Sequence, residues 1–332
     1  MNIFDETYLL EKPKTGGKNK SSYDGFYTKD GKSYFIKVPA NKTELFAELF
    51  AGRLFDAFIQ YGLISDCQAC SFITAKLIRL PDGAYGLIQP KVAFTEVFKI
   101  IDTGVSDGSD RSALWEMLFG PAQYLLLHKK FSKLKNLIET LFFSLWIGDY
   151  SVHSANLVVL EQEEKQMEEA TVARIDLGAA FRDFAEPSHS EDNEDILTPY
   201  EDRGWLNYRM WFKQYFYNFI LFPGLFGNIA AYAKDLKSSV DPVKIQLWVV
   251  QILKELPCDF LSEQDLKEIA SYIHLPSFVH IYESDEAKKI FAADFTRILM
   301  IRLDKIGAVK NLTPLPDKFD ILPENIGDLA LI

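Results

Sequence analysis

The pattern of hydrophobic positions changes near residue 100 of the chain. Before that point, short aromatic and β-branched runs flank turn sequences, and residues 22–38, SYDGFYTKDGKSYFIKV, predict a hairpin around Lys29-Asp30-Gly31. Residues 43–60, TELFAELFAGRLFDAFIQ, carry apolar side chains around most of a helical circumference, which predicts a largely buried helix. Residues 71–94 predict a strand, a turn and a second strand. The first hundred residues are therefore expected to be mostly strand with one helix.

The rest of the chain is predicted to be mainly helical. Residues 111–147 have a helical pattern nearly throughout, and helices are expected to dominate again from residue 204. Between them, NLVVL (156–160) and TVARIDL (171–177) predict two strands that pair as a hairpin, and the acidic residues 183–203 predict an exposed loop. The pattern predicts a bilobal α+β fold, with a small β-rich lobe over residues 1–95 and a larger helical lobe over 96–332.

The composition of the chain argues against several classes of partner and location. The chain has 332 residues, of which 48% are hydrophobic, so it can bury a substantial core. Its net charge of −11 argues against nucleic acid or an anionic membrane as the main partner. No apolar run reaches about eighteen residues, so no transmembrane helix is expected. The first residues lack the basic-then-apolar order of a signal peptide, so export would need another route.

Lys37 and Glu48 are the first candidate site residues. Lys37 ends the apolar strand sequence YFIK, where a lysine often only extends its amino group to solvent. Glu48 lies in the predicted buried helix, where a carboxylate is costly without a cation partner. A strand lysine paired with a helix glutamate is the arrangement that anchors nucleotide phosphates. Glu44 is the rival partner, but an acidic residue in a first helical turn is better explained as an exposed charge.

Asn156 and Asp176 each adjoin one of the two short strands after residue 150. If those strands pair as a hairpin, the amide and the carboxylate stand side by side at its open end. Oxygen ligands of this kind suit Mg²⁺, which is a hard cation. Asp176-Leu177-Gly178 alone would be compatible with a simple turn, and the pairing with Asn156 favours a metal site.

The order of these motifs resembles that of the protein kinase superfamily. YFIK, the helix with Glu48, GDYSVHSAN and IDLG look like its strand lysine, helix glutamate, catalytic loop and metal-binding motif, over roughly residues 15–235. The GDYSVHSAN loop and the run RIDLGAAFR look most like atypical effector kinases of bacteria such as Legionella. HipA-type toxins and phosphoinositide kinases are similar at a greater distance. The resemblance implies a bacterial protein secreted into the host cytoplasm without a signal peptide.

The same resemblance implies roles for individual residues. Lys37 would contact the α- and β-phosphates of ATP and Glu48 would orient it, while Asn156 and Asp176 would hold Mg²⁺ or Mn²⁺. Gly178 would permit the turn that follows. Three further residues would bind the nucleotide, namely Gln89 at the adenine hinge and Gly16 and Gly17 in the loop TGGKNKSS, which replaces a glycine-rich phosphate loop.

The catalytic loop departs from the family pattern. The family's catalytic aspartate stands five residues before the metal-binding asparagine, and here that position is Ser151, which cannot act as a carboxylate base. Asp149, two residues further upstream, is therefore predicted to be the catalytic carboxylate, placed at the cleft mouth by the sharp exit that Gly148 allows. His153 could accept a proton in principle, but a role in holding the loop by hydrogen bonds is favoured.

Two basic segments stand out in this acidic chain. Residues 128–135, HKKFSKLK, are expected to lie on a helix, either as a solvated face or as a pocket for a polyanionic activator such as an inositol phosphate. The lysines of this candidate pocket are Lys129, Lys130, Lys133 and Lys135. A second candidate pocket comprises Lys12, Lys14, Lys18 and Lys20.

Two functions of different classes fit these observations. One is an enzyme that transfers a phosphoryl group from ATP to a Ser or Thr hydroxyl of a protein, which would be a host protein. The other is a pseudokinase scaffold that keeps the nucleotide cleft without turnover. Within the enzyme class, transfer to a lipid headgroup and transfer of AMP both stay open. Ser151 is the residue that separates enzyme from scaffold.

Overall fold

The computed structural model describes residues 2–14, 21–65, 68–100, 130–149, 151–152, 156–161, 169–182, 184–185 and 225–308. Strands lie mostly in the N-terminal part and helices mostly in the C-terminal part, which confirms the predicted α+β class and order. The strands are β1 (Asn2–Ile3), β2 (Leu9–Pro13), β3 (Gly25–Lys29), β4 (Lys32–Lys37), β5 (Lys76–Arg79), β6 (Tyr85–Pro90), β7 (Phe94–Glu96), β8 (Lys133–Lys135), β9 (Leu157–Leu160) and β10 (Glu169–Arg174). The α-helices are α1 (Lys42–Gln60), α2 (Val97–Ile100), α3 (Leu137–Trp146), α4 (Leu225–Lys237), α5 (Pro242–Lys254), α6 (Glu263–Ile273) and α7 (Asp285–Ala308).

The first sheet has six strands in the order β1-β5-β6-β4-β3-β2. The predicted hairpin at residues 22–38 is confirmed as the antiparallel pair β3 and β4. Asp30 and Gly31 both have positive φ, 51° and 71°, the backbone that a two-residue hairpin turn of this hand requires. The strand, turn and strand predicted for residues 71–94 are β5 and β6, joined through Gly83 at φ 83°.

Helix α1 covers one part of one face of this sheet. Its N-cap Asn41 accepts a hydrogen bond from the backbone N–H of Glu44 at 2.8 Å. Leu77 of β5 and Leu87 of β6 are buried together with its apolar side chains in the main core. The opposite face of the sheet buries a separate, smaller cluster that includes Ile36. The buried helix predicted for residues 43–60 is therefore confirmed.

Helix α1 is also covered on its other side, by the C-terminal helical region. The ring of Phe46 packs against Phe278, in a 3₁₀ turn at 276–280, with centroids 4.8 Å apart. The ring of Phe50 packs edge-on against Phe295 of α7 at 5.2 Å. The helix thus lies between the sheet and the C-terminal helices, which explains why its apolar residues surround the axis rather than forming one stripe.

The second sheet has four strands in the order β7-β9-β10-β8. Strands β9 and β10 pair antiparallel, with Leu157 opposite Arg174, which confirms the second predicted hairpin. The helix predicted over 111–147 is wrong at residues 133–135, which form strand β8 and pair in parallel with β10. This pairing gives those backbone groups partners in β10, and the helix begins only at Leu137.

Helices predicted from residue 204 onward are confirmed for 225–308, while most of 111–129 and 183–203 lies outside the described residues. The predicted lobe boundary at residue 95 falls within β7 and stays a prediction. In the part of the chain that the structure describes, no helix is both long and apolar enough to cross a membrane.

Candidate nucleotide and metal site

Lys37 stands at the centre of the candidate site, at the end of β4. Its Nζ lies 2.6 Å from Oε2 of Glu48 on α1 and 3.0 Å from Oδ1 of Asp176, which follows β10. Glu48 is fully buried, whereas the side chain of Asp176 is 48% exposed. Lys37 at the end of the first sheet therefore forms ion pairs with helix α1 and with the residue that follows strand β10 of the second sheet. The structure brings together all three of these predicted residues.

The buried charges perturb each other. Burial raises the pKa of Glu48 from 4.5 to about 7, and the positive charge of Lys37 limits that rise. Burial by itself lowers the pKa of Lys37, but the carboxylates of Glu48 and Asp176 outweigh it, so that the net shift is upward. Lys37 is thus held in its charged form, which is the form that can bind a phosphate.

Asn156 and Asp176 line one cavity of about 760 Å³. The backbone N–H of Ile175 donates to the carbonyl oxygen of Asn156 at 3.0 Å, which brings the two strand ends together as predicted. Asp176 has a left-handed backbone, with φ 60°, an unfavourable conformation for a residue other than glycine and one that is concentrated at functional sites. An amide oxygen and a carboxylate oxygen on one wall are a donor set that suits Mg²⁺ or Mn²⁺.

The amide of Asn156 has a fixed orientation. Its Nδ2 donates to the carbonyl oxygen and to Oγ of Ser151, both at 3.2 Å. Because the nitrogen is engaged in this way, Oδ1 is the atom left to face a cation. Ser151, the residue five positions before Asn156, also lines the cavity.

The expectation that Asp149 sits at the cleft mouth is wrong. Asp149 is completely buried, and its Oδ2 lies 2.5 Å from a guanidinium nitrogen of Arg174, which is equally buried. Burial raises the pKa of the Asp149 carboxyl, and the charge of Arg174 opposes this shift. Gly148 does provide the sharp exit from α3, with φ 69°, but the chain turns inward. Asp149 is not one of the described residues that line the cavity.

Glu44 and Gly178 also differ from expectation. Glu44 is half-buried rather than exposed, and burial together with the negative charge of Asp176 raises its pKa. A Cβ at position 178 would come within 2.6 Å of Cγ of Glu44, so a larger residue there would have to displace the Glu44 side chain. The left-handed residue of this turn is Asp176 rather than Gly178.

The predicted nucleotide-binding residues are only partly described. Gly16 and Gly17 lie outside the described residues, as do Lys18, Lys20 and His153. Gln89 pairs with Phe35 across β6 and β4, and Phe35 pairs in turn with Phe26 of β3. Directly paired residues share a face, so these side chains lie on the Lys37 face of the sheet. The two rings are 5.0 Å apart and partly exposed, and the sequence reasoning missed them.

The first basic cluster is only partly available to an anion. Lys133 and Lys135 both form ion pairs with Glu169 of β10, and hydrogen bonding from Lys135 lowers the pKa of that carboxyl. Lys130 donates to the carbonyl oxygen of Ile100, and Lys129 lies outside the described residues. The helix expected to carry these lysines is replaced by β8 at residues 133–135. In the second cluster, Lys14 forms an ion pair with Asp24 at 3.7 Å.

Two buried arginines that contact the end of α3 and the segment that follows it were also missed by sequence reasoning. Arg174 contacts Asp149, and Arg302 of α7 donates to the carbonyl oxygens of Trp146 and Leu145 at 3.1 and 2.7 Å. The signal for Arg174 was its place within an apolar strand sequence, because a charge there needs a buried partner. Nothing local in the sequence distinguishes Arg302 from an exposed helix residue.

Comparison with known proteins gives a family and two related structures. The family described as LepB N-terminal domain matches residues 85–311. The crystal structure of the N-terminal 618-residue fragment of LepB from Legionella pneumophila aligns with 29% identity and a TM-score of 0.62, covering 86% of this chain. This chain spans only 46% of that fragment. No curated protein matches.

A second solved structure is a weaker match. It is the Helicobacter pylori proinflammatory kinase CtkA, with 13% identity, a TM-score of 0.49, and coverage of 92% of this chain and 96% of that one. A likeness at this level is too weak to support an inference about function.

Proposed function

The chain belongs to the LepB N-terminal domain family, and from that premise and the geometry around Lys37 and Asp176 we propose that it is an ATP- and divalent-metal-dependent phosphotransferase. The observation that carries the proposal is the position of Lys37, 2.6 Å from a buried glutamate and 3.0 Å from Asp176. Such a lysine is a cation held next to a metal-binding carboxylate, as nucleotide phosphates require. The expected acceptor is a Ser or Thr hydroxyl of a protein.

Each part of the site has a role in this proposal. Lys37 binds phosphate oxygens and Glu48 holds its side chain, while Asn156 and Asp176 hold Mg²⁺ or Mn²⁺, which supplies charge neutralisation at the phosphates. Phe26 and Phe35 offer an aromatic surface for adenine on the same face of the sheet as Lys37, next to Gln89. Phosphoryl transfer depends mainly on positioning and charge, so Ser151 in the base register is compatible with turnover.

A nucleotide-binding scaffold is the second candidate, and the burial of Asp149 favours it. With that carboxylate paired to Arg174, no described residue supplies a carboxylate base in the usual register. Transfer to a lipid headgroup and transfer of AMP are alternatives within the enzyme class that, like delivery into a host cell, come from the resemblance to kinases. A polyanionic activator is proposed from the two lysine clusters.

The decisive experiment combines binding and label transfer. We expect calorimetry to show Mg²⁺-dependent binding of ATP, and Asp176→Ala to lower that affinity about tenfold, a loss of about 1.4 kcal/mol. Metal-free binding should not weaken, because the variant removes a negative charge that lies 3.0 Å from Lys37. Asp304→Ala is the matched control, because Asp304 also pairs with a lysine and is similarly exposed, at 54%, but lies on α7. Equal Mg²⁺-dependent affinities for wild type and Asp176→Ala would overturn the metal assignment.

Label transfer then assigns the reaction. Transfer from γ-labelled ATP to protein supports phosphoryl transfer, and transfer from α-labelled ATP indicates AMP transfer instead. Binding without any transfer under Mg²⁺ or Mn²⁺ would favour the scaffold.

A further inference from the structure

Arg174 occupies the last position of β10, two residues before Asp176, and is entirely buried. One guanidinium nitrogen lies 2.5 Å from Oδ2 of Asp149. The other donates to the carbonyl oxygens of Ser151, at 3.1 Å, and of Asn156, at 3.3 Å. A single side chain therefore contacts the loop of residues 149–156 near its start and at its end.

Asp149 completes this arrangement from the other side. Its Oδ1 accepts the backbone N–H of Ser151 at 2.9 Å, while its own N–H donates to the carbonyl oxygen of Ser144 in α3 at 2.8 Å. Asp149 thus links the first turn of the loop, through its carboxylate, to the end of α3, through its backbone N–H. Asp149 and Arg174 form a buried ion pair, and most of their other hydrogen bonds are made with backbone groups of the loop.

The contacts of Arg174 also restrict the side chain of Asn156. The carbonyl group of Ser151 accepts from both Arg174 and the amide of Asn156. Holding Ser151 therefore holds the amide, which in turn sets where Oδ1 of Asn156 lies.

We propose that Arg174 is a positioning residue that, with Asp149 as its counter-ion, sets the metal-binding orientation of Asn156. Asp149 then acts through Arg174 and Ser151, at a distance from the acceptor hydroxyl, and has no role as a base. This inference rests on the proposed nucleotide and metal site, and it assigns a function to two buried charges that the proposed reaction does not otherwise use.

The test separates positioning from simple stabilisation. Arg174→Met and Asp149→Leu each leave one buried charge without its partner, so both single variants should lose stability. The double variant Arg174→Met/Asp149→Leu removes both charges, and such replacements commonly restore stability. Neither new side chain can hold the carbonyl groups of Ser151 and Asn156. We therefore expect the double variant to fold and to be more stable than either single variant, but to bind Mg·ATP about 10- to 100-fold more weakly.

Two readouts distinguish failure of this inference from failure of the proposed function. Metal-free ATP affinity should be unchanged in the double variant, because Lys37 and Glu48 are not altered. Hydrogen exchange at the Ser151 amide needs no nucleotide, and we expect it to be faster in the double variant. If the wild type binds no ATP, the proposed function fails, and the exchange measurement still tests whether the pair holds the loop.

Arg174→Lys serves if the double variant does not fold. It keeps the charge next to Asp149 with a smaller head group that cannot span the same three acceptors, so it should fold and lose part of the Mg²⁺-dependent affinity. Wild-type Mg·ATP affinity and wild-type Ser151 protection in either folded variant would show that Arg174 only stabilises the core, and would overturn the inference.

Discussion

Removing the amino group of Lys37 should destabilise the protein in a strongly pH-dependent way. In Lys37→Met the buried carboxyl of Glu48 loses the cation 2.6 Å away and keeps Asp176 as a negatively charged neighbour. Its pKa, already raised from 4.5 to about 7 by burial, must then rise further. A raised pKa means that the unfolded chain releases this proton first, so the contribution of the group to stability is largest below pH 4.5 and declines as the pH rises.

The size of the destabilisation depends on the pH at which the stability contribution of Glu48 stops declining. In the wild type the decline stops near pH 7, because Glu48 then ionises in the folded state as well. In Lys37→Met it continues above pH 7 at about 1.4 kcal/mol per pH unit. Between pH 7 and pH 8.5 the variant should therefore lose roughly 2 kcal/mol more unfolding free energy than the wild type does. At pH 5 Glu48 is largely protonated in both folded proteins, and the difference should be small.

Urea denaturation followed by tryptophan fluorescence at pH 5 and pH 8.5 measures this difference. Lys91→Met is the matched control, since Lys91 also pairs with a carboxylate, Glu11, but on the surface. Hydrogen bonds from Thr28 hold the pKa of Glu11 at about 2, so that this pair does not titrate in the range tested. Lys37→Met/Glu48→Leu should lack the additional loss of stability between pH 7 and pH 8.5, because the carboxyl that causes it is absent. A destabilisation by Lys37→Met that is equal at the two pH values would refute the reasoning.

Two further variants test packing around the site by the same denaturation assay. Gly178→Ala should cost about 1–3 kcal/mol, because its Cβ would come 2.6 Å from Glu44 Cγ, and Glu44→Ala in the same chain should recover most of it. No loss in Gly178→Ala would contradict this contact. Arg302→Leu should cost at least about 2 kcal/mol, since it leaves two buried carbonyl groups without their donor, whereas the exposed Arg297→Leu on α7 should cost little. Equal effects of the two arginine variants would contradict that role.

The parts of the fold predicted correctly depend on short-range patterns. The β3–β4 hairpin is encoded by alternating aromatic residues around one turn, and α1 by a continuous apolar helical pattern. Lys37 and Glu48 could be paired in advance because a carboxylate in an apolar helix requires a cation. Each of these inferences needs only neighbouring residues and one physical rule.

The parts that were missed depend on pairings between distant segments. Asp149 is buried because β10 delivers Arg174 to it from 25 positions along the chain. Without that partner, a carboxylate after Gly148 is correctly expected at the surface. Residues 133–135 form a strand only because β10 offers its edge in parallel. The sequence next to Asp149 does not contain Arg174, and the sequence next to residues 133–135 does not contain β10. The local patterns therefore predicted that Asp149 lies at the cleft and that residues 133–135 are helical.

The packing of α1 shows how the candidate site is kept assembled. Glu48 faces Lys37, while Phe50, two residues later, contacts Phe181 at 5.4 Å and Phe295 of α7 at 5.2 Å. Phe181 belongs to the segment that follows Asp176, so one aromatic cluster connects the helix to the segment that carries Asp176. An outward movement of α1 would have to break this buried cluster as well as the Lys37–Glu48 pair. Because tightly packed cores resist such gradual displacement, the packing of α1 against the C-terminal helices helps to hold Glu48 next to Lys37.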